Sequence, residues 1–219
     1  VVLNVVDEEG WADFLATFRP AFEKQLGDIE LPKADEESFK QAKGMYRSFK
    51  WSMAYIAPRG VGMTKEKGSD LESERRMISQ GQTLDGMRVW DIQRAVQAMR
   101  SAGKMKDVPL WMQSQCRMAD ITLFASLFVP KITRLDLYEV SQSLGGKDSA
   151  AFWSANELIN VPQAIAMSLE RNRVILYDVE DRDWSFPSSV AQKLEWENQL
   201  QFRQPPKEDP SSSKTDDKK

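Results

Sequence analysis

The chain alternates short apolar, β-branched runs with longer stretches in which apolar residues recur every three or four positions. Short runs bounded by Gly, Pro or charged clusters predict strands, and the longer periodic stretches predict amphipathic helices. The predicted strands cover residues 1–6, 51–57, 108–113, 132–140 and 173–177. The run 108–113 is nearly all apolar, which is typical of a strand buried in a parallel sheet. The pattern predicts an α/β fold with a mostly parallel sheet and flanking helices.

Helices are predicted between these strands, at 11–22, 83–101, 118–128 and 151–172, and after the last strand, at 190–200. The helix at 83–101 has the clearest period. Val89, Ile92, Val96 and Met99 mark its apolar face, whereas Asp85, Arg88, Asp91 and Arg94 mark the other face. Residues 27–44 are polar and predict a loop or a short solvated helix, and 64–72 predict a charged surface loop. One domain is therefore expected over 1–202, followed by a disordered tail at 203–219 that has no apolar residue.

Three segments carry a resemblance to a known fold. Ala57-Pro58-Arg59-Gly60-Val61-Gly62 leaves a strand, residues 80–92 enter a helix, and 161–167 lead into the strand at 173–177. In this order they resemble the α/β-hydrolase fold, and more specifically the acetyl xylan esterase-type and prolyl oligopeptidase-type hydrolases. The resemblance covers about residues 1–178 and implies that the chain corresponds to that fold from its third strand onward. The earlier strands would then be missing or lie in an upstream segment.

The resemblance also places a nucleophile. In that fold the nucleophile lies on a strand-turn-helix elbow written G-x-S-x-G. The matching stretch is 113–119, in which Cys116 takes the nucleophile position and Ser114 and Met118 replace the small flanking residues. Cysteine can act as a nucleophile if a neighbour such as Arg117 depresses its pKa. We favour the other interpretation, in which Cys116 is a small, semi-buried and inert residue that fills a degenerate turn.

The chain contains no histidine, which decides between these interpretations. Without an imidazole there is no Ser-His-Asp triad and no ordinary His-containing zinc site. The resemblance implies a histidine after the final strand, which we place after Tyr177. The loop there carries Asp178, Glu180, Asp181 and Asp183 instead. Such a cluster can bind a hard cation, but it lacks the spacing of a calcium loop. A solvated acidic loop is therefore expected, with no metal and no cofactor.

Other residues are candidates for binding or for structure. Trp153 and Trp184 lie in loop-rich segments and are the candidate ligand-binding tryptophans, whereas Trp90 and Trp111 are expected in the core. In the families resembled, the arginine of the Arg59 turn tends to be structural. It is therefore expected to pair with Asp91 or Asp85. Asp7-Glu8-Glu9 is expected to cap the following helix, since carboxylates stabilise a helix N-terminus.

Composition excludes some classes of binding partner but identifies none. The net charge is −3 and the Lys and Arg residues are scattered, so no nucleic-acid partner is expected. No apolar run approaches the roughly 20 residues of a membrane span, and no targeting segment assigns a compartment. The sole cysteine cannot form an internal disulfide.

Three functional interpretations remain at this point. The favoured one is a catalytically impaired hydrolase-like module that binds a carbohydrate, an ester or a protein partner. The alternative is an active ester hydrolase that uses Cys116 or a carboxylate in place of the triad. The third is a subunit whose open sheet edge pairs with an upstream domain or a partner chain.

Overall fold

A computed structural model describes residues 1–26, 31–49, 51–65, 71–179 and 181–204. Its centre is a sheet of six strands that all pair in parallel, in the order β2-β1-β3-β4-β5-β6. The strands are β1 (Val2–Val5), β2 (Met53–Ile56), β3 (Leu110–Gln115), β4 (Ile132–Tyr138), β5 (Arg173–Tyr177) and β6 (Leu200–Arg203). The prediction of an α/β fold with a mostly parallel sheet is confirmed.

Eight α-helices lie in the described parts of the chain, between and around the strands. They are α1 (Glu8–Leu26), α2 (Glu36–Ser48), α3 (Leu71–Ser79), α4 (Leu84–Ser101), α5 (Cys116–Ser126), α6 (Ala155–Leu158), α7 (Val161–Leu169) and α8 (Ser185–Lys193). Helix α5 contacts β3 and β4, α7 contacts β5, and α4 packs on α5. The predicted helix at 83–101 matches α4, whose N-cap is Thr83.

The core lies between the sheet and the helices α4, α5 and α7. Met112, Leu135 and Val174 are neighbours across β3, β4 and β5, and none is exposed to solvent. Ile92 and Val96 of α4 belong to the same buried cluster. Burying each such aliphatic side chain stabilises the fold by about 1.5–3 kcal/mol, so this layer holds the strand ends in fixed positions.

The end of the chain differs from the prediction. The predicted helix at 190–200 is wrong, because α8 ends at Lys193 and Leu200 begins β6. Glu195 has a left-handed backbone, φ 60°, which stops the helix soon after its last turn. Residues 200–203 then pair with β5, and this non-local pairing leaves no periodic signal in so short a segment. Of the predicted tail at 203–219, Arg203 lies in β6 and residues 205–219 lie outside the described part.

Smaller differences concern the polar segments. Within 27–44, the solvated helix α2 forms and continues to Ser48 with no buried residue. Residues 66–70 of the predicted charged loop lie outside the described part, and α3 begins at Leu71. Within the described ranges, no helix is both long enough and apolar enough to traverse a bilayer. Strands β2 and β6 are the two outer strands of the sheet described here.

Candidate functional site

Four acidic or thiol residues lie where parallel strands end, at one edge of the sheet. Asp7 lies shortly after β1, and Cys116, Glu139 and Asp178 are the first residues after β3, β4 and β5. Because the strands are parallel, their carboxyl ends meet at this edge, where ligands of open α/β sheets bind. Cys116, Glu139 and Asp178 all have left-handed backbones, with φ of 48°, 51° and 54°. Such strained positions cluster at functional sites.

Cys116 lies on a sharp turn between β3 and α5, as an elbow requires. Its side chain is exposed, and its Sγ donates a hydrogen bond to Glu139 Oε2 at 3.0 Å. Cys116 is therefore more exposed than the expected semi-buried residue, although its thiol is still partly shielded from water.

The electrostatics around Cys116 oppose thiolate formation. Partial burial, the hydrogen bond to Glu139 and the negative charges of Glu139, Asp7 and Glu9 together raise the pKa of Cys116 to about 12. Arg117 does not lower the pKa of Cys116, as it would in the interpretation that we did not favour, because its guanidinium is turned to Asp85, with Nη2 2.6 Å from Oδ2. The thiol is consequently protonated at neutral pH.

Acidic residues also follow β1, near the elbow. In the fold resembled, backbone N–H groups after the nucleophile and after the third strand bind the developing anion. Here the second of these segments begins with Asp7-Glu8-Glu9. Asp7 Oδ1 accepts from Gly10 N at 2.8 Å and so caps α1, as expected. Asp7 and Glu9 remain close enough to raise the pKa of Cys116, and the same charges disfavour an oxyanion there.

The buried Asp85 anchors the residue that follows Cys116 in the elbow. The carboxylate of Asp85 has no exposed surface and accepts from Arg88, from Arg117 and from the backbone N–H of Ala151. Asp85 and Arg88 are both buried, although they lie on the face of α4 that carries the charged residues. The helical period does not distinguish a charged residue that faces solvent from one that faces an ion partner.

A second buried carboxylate fixes the segment that follows β4. Asp120 of α5 accepts from Ser141 N, Ser141 Oγ and Ala150 N, at 2.7–2.9 Å. Burial raises the pKa of Asp120, and these hydrogen bonds oppose that shift. With Asp85, Asp120 ties residues 141–151 to α4 and α5. This loop has no period or motif from which either anchor could be predicted.

Arg59 forms an ion pair with Asp91, one of the two partners predicted for it. Arg59 Nε and Nη2 donate to Asp91 at 2.8 Å and 2.5 Å, and the Arg59 backbone N–H donates to the same carboxylate at 3.0 Å. The alternative partner, Asp85, is occupied by Arg88 and Arg117. The ion pair joins the turn after β2 to the exposed side of α4.

The tryptophans divide differently from the prediction. Trp184 is only 6% exposed and its Nε1 donates to Val179 O, so it is a core residue and its prediction as a ligand-binding residue is wrong. Trp90 is 48% exposed, so its predicted place in the core is wrong too, and Trp111 is partly buried. Trp153 is 56% exposed. Trp90 and Trp153 line one cavity of about 580 Å³ beside Arg59.

The sixth strand changes the position at which the resemblance implies a histidine. A histidine after the final strand would follow Arg203, in place of the position after Tyr177 that the sequence suggested. Gln204 is the residue there, and the remainder, 205–219, contains no histidine either. Asp178 follows β5 and therefore lies between Cys116 and the end of β6 in chain order. Among the described residues no three acidic, Cys or His side chains are arranged to hold a metal ion, and Glu180 lies outside them.

Comparisons with known proteins agree on the fold. No protein-family model and no curated protein matches the chain. The chain is similar to the solved structure of a Bacteroides fragilis NCTC 9343 protein described as a "putative acetyl xylan esterase", with a TM-score of 0.67 and 11% identity. The match covers 93% of this chain but 58% of that protein, so the chain spans less than two thirds of its length.

A second solved structure is similar at a lower level. It is described as a "Putative Dienelactone Hydrolase" from Klebsiella pneumoniae subsp. pneumoniae, with a TM-score of 0.44, 14% identity and coverage of 94% of this chain and 73% of that one. This score supports no argument by itself. The first structure shows that the chain has an α/β-hydrolase-like fold, and the predicted fold is confirmed.

Proposed function

We propose that this protein is a catalytically impaired α/β-hydrolase-like module that acts by binding a carbohydrate, an ester or a protein partner. The observation that carries the proposal is the state of the elbow. Its Cys116 thiol donates a hydrogen bond to Glu139 and has a pKa raised to about 12. A residue in this state is protonated where a nucleophile must be ionised.

Ester hydrolysis also needs a base and a site for the oxyanion. The chain has no histidine to serve as base. Carboxylates as a class are weaker bases than imidazole, so Glu139 is poorly matched to a thiol with so high a pKa. Asp7 and Glu9 place negative charge where the transition state would develop its own. An ionised nucleophile, a base and a site for the oxyanion are therefore all lacking under this proposal, although the elbow retains its sharp backbone turn.

The alternative is an active ester hydrolase in which Cys116 or a carboxylate does the chemistry. The left-handed backbone of Cys116 favours it, because that strained turn is what exposes a nucleophile at an elbow. The two functions differ in whether substitution at Cys116 or Glu139 changes turnover.

Hydrolysis of 4-nitrophenyl acetate separates them. We expect the wild-type protein at pH 7.5 to stay within about twofold of serum albumin at equal concentration, which corrects for non-specific acyl transfer. Cys116→Ala and Glu139→Gln are expected to match the wild type. Ser126→Ala is the matched control, since Ser126 is buried in the last turn of α5 and away from the elbow. Turnover well above albumin that either elbow variant abolishes, with Ser126→Ala unaffected, would overturn the proposal.

A further inference from the structure

The cavity of about 580 Å³ beside Arg59 lies within the range of small-molecule sites. It is bounded by the start of α4, by the turn before it and by the segment before α6. Two exposed indoles, Trp90 and Trp153, line it together with Phe152. Single exposed apolar residues are common on proteins, but two tryptophans that share one cavity form an aromatic surface.

Contacts of neighbouring residues hold the ring of Trp90 and the backbone next to Trp153. The Arg94 guanidinium lies over the Trp90 ring, 3.8 Å from the centroid, and this cation–π contact orients the indole. Trp153 follows Phe152, whose ring packs on Phe124 at 4.7 Å. The preceding Ala151 is bonded to buried Asp85. The Trp90 ring and the segment that carries Trp153 are therefore held in place, which lowers the entropy lost when a ligand binds.

The polar side of the cavity has hydrogen-bonding groups but little net charge. Arg59 is the one charged residue among those lining the cavity, and Asp91 neutralises it. Gln82 is exposed and is among the residues that line the cavity. The Thr83 hydroxyl accepts from Gly86 N and keeps its own proton free to donate.

We infer that this cavity, bounded by Trp90, Trp153, Arg59, Gln82 and Thr83, binds a neutral oligosaccharide. A pyranose ring has a C–H face that packs on indole and hydroxyl edges that bond to amide, hydroxyl and guanidinium groups. Among the residues that line the cavity, an anion would meet only Arg59, which Asp91 already pairs, and a purely apolar ligand would leave the polar groups unsatisfied. The inference names the site and the ligand class within the binding role proposed above. It does not depend on the loss of catalysis.

Titration calorimetry with xylohexaose, cellohexaose and mannohexaose tests it, with trigalacturonate as the anionic comparison. We expect saturable binding of at least one neutral hexasaccharide with a Kd between about 10 μM and 1 mM. Trp153→Ala should weaken it about tenfold, and Gln82→Ala by a few-fold. Trp51→Ala is the matched control, because Trp51 is exposed to a similar degree and lies outside the cavity. It should leave the Kd unchanged.

Thermal melts establish that each variant is folded, which is expected because Gln82 and Trp153 are exposed. Absence of saturable binding by all three neutral sugars at about 10 mM would overturn the inference. So would binding that Trp153→Ala leaves intact, or a preference for trigalacturonate. The esterase assay of Cys116 reports on catalysis alone, so failure of one proposal is distinguishable from failure of the other.

Discussion

Cys116, Glu139 and Asp178 share a backbone conformation that L-residues rarely adopt, and each begins the segment after a parallel strand. A left-handed residue at this point turns the chain away from the sheet at once. It also brings side chains from separate strands to a common edge, where Cys116 meets Glu139. The consequence is an acidic elbow, in which a position suited to a nucleophile is surrounded by charges that keep it neutral.

The reactivity of Cys116 follows from its pKa. At pH 8 we expect alkylation by iodoacetamide to be at least about tenfold slower than that of glutathione, because little thiolate is present. Glu139→Gln should accelerate the reaction, since it removes the charge that raises the pKa of Cys116. Glu170→Gln, at an exposed position far along the chain, is the control and should leave the rate unchanged. A wild-type rate equal to that of glutathione would contradict the assigned pKa direction.

The turn between β2 and the next helical segment shows how one element depends on another. Gly62 has a φ of 58°, and a Cβ there would lie 2.5 Å from Trp11 Nε1 of α1. Its backbone N–H donates to Glu8 of the same helix at 2.9 Å. The turn therefore fits against α1 only if residue 62 is glycine, and Arg59 then anchors the turn to α4 through Asp91.

Replacement of this glycine should destabilise the protein. Gly62→Ala combines the cost of a left-handed alanine with displacement of Trp11, for a loss of about 2–4 kcal/mol in the free energy of unfolding. Urea denaturation followed by circular dichroism measures it. Gly81→Ala, where φ is 70° and no atom lies within 4 Å, isolates the backbone cost of about 1 kcal/mol. Gly44→Ala in α2, with open space around it, should be neutral or slightly stabilising. Equal losses for Gly62→Ala and Gly81→Ala would show that Trp11 accommodates the methyl group.

Two buried carboxylates connect helices and loops that the hydrogen bonds of the sheet do not connect. Asp85 links α4 to the residue after Cys116 and to the segment that carries Trp153, and Asp120 fixes the segment after β4. The edge of the sheet and the cavity beside Arg59 are thus held by the same network. Loss of one carboxylate is expected to affect both regions and the global stability.

Asp85→Asn should lower the free energy of unfolding by about 3 kcal/mol, because it leaves the buried Arg88 guanidinium without its counter-charge. Chemical denaturation at pH 7 measures the loss. The control is Asp107→Asn, which breaks the exposed pair with Lys131 and should cost less than about 1 kcal/mol. If the two substitutions cost the same, the Asp85 network does not stabilise the fold.

The local pattern was sufficient for most of the fold. Five of the six strands and the helix α4 follow from runs and periods that are visible in the chain, because burial of one face imposes them. The strand at 200–203 is not predicted, and Leu200 is placed in the helix at 190–200, since pairing with β5 is a non-local contact that so short a segment does not signal. Because β6 is not predicted, the histidine implied after the final strand is expected after β5, whereas in the structure the final strand is β6.

The sequence by itself determined that the protein has no imidazole and that Cys116 stands at an elbow-like turn. Both are properties of residue identity and local order. Only the tertiary structure decided that Glu139 meets Cys116, that Asp85 is buried with Arg88 and Arg117, and that Trp153 is exposed while Trp184 is not. Contacts between distant segments determine burial and charge pairing, and the hydrophobic pattern of a single segment does not contain them.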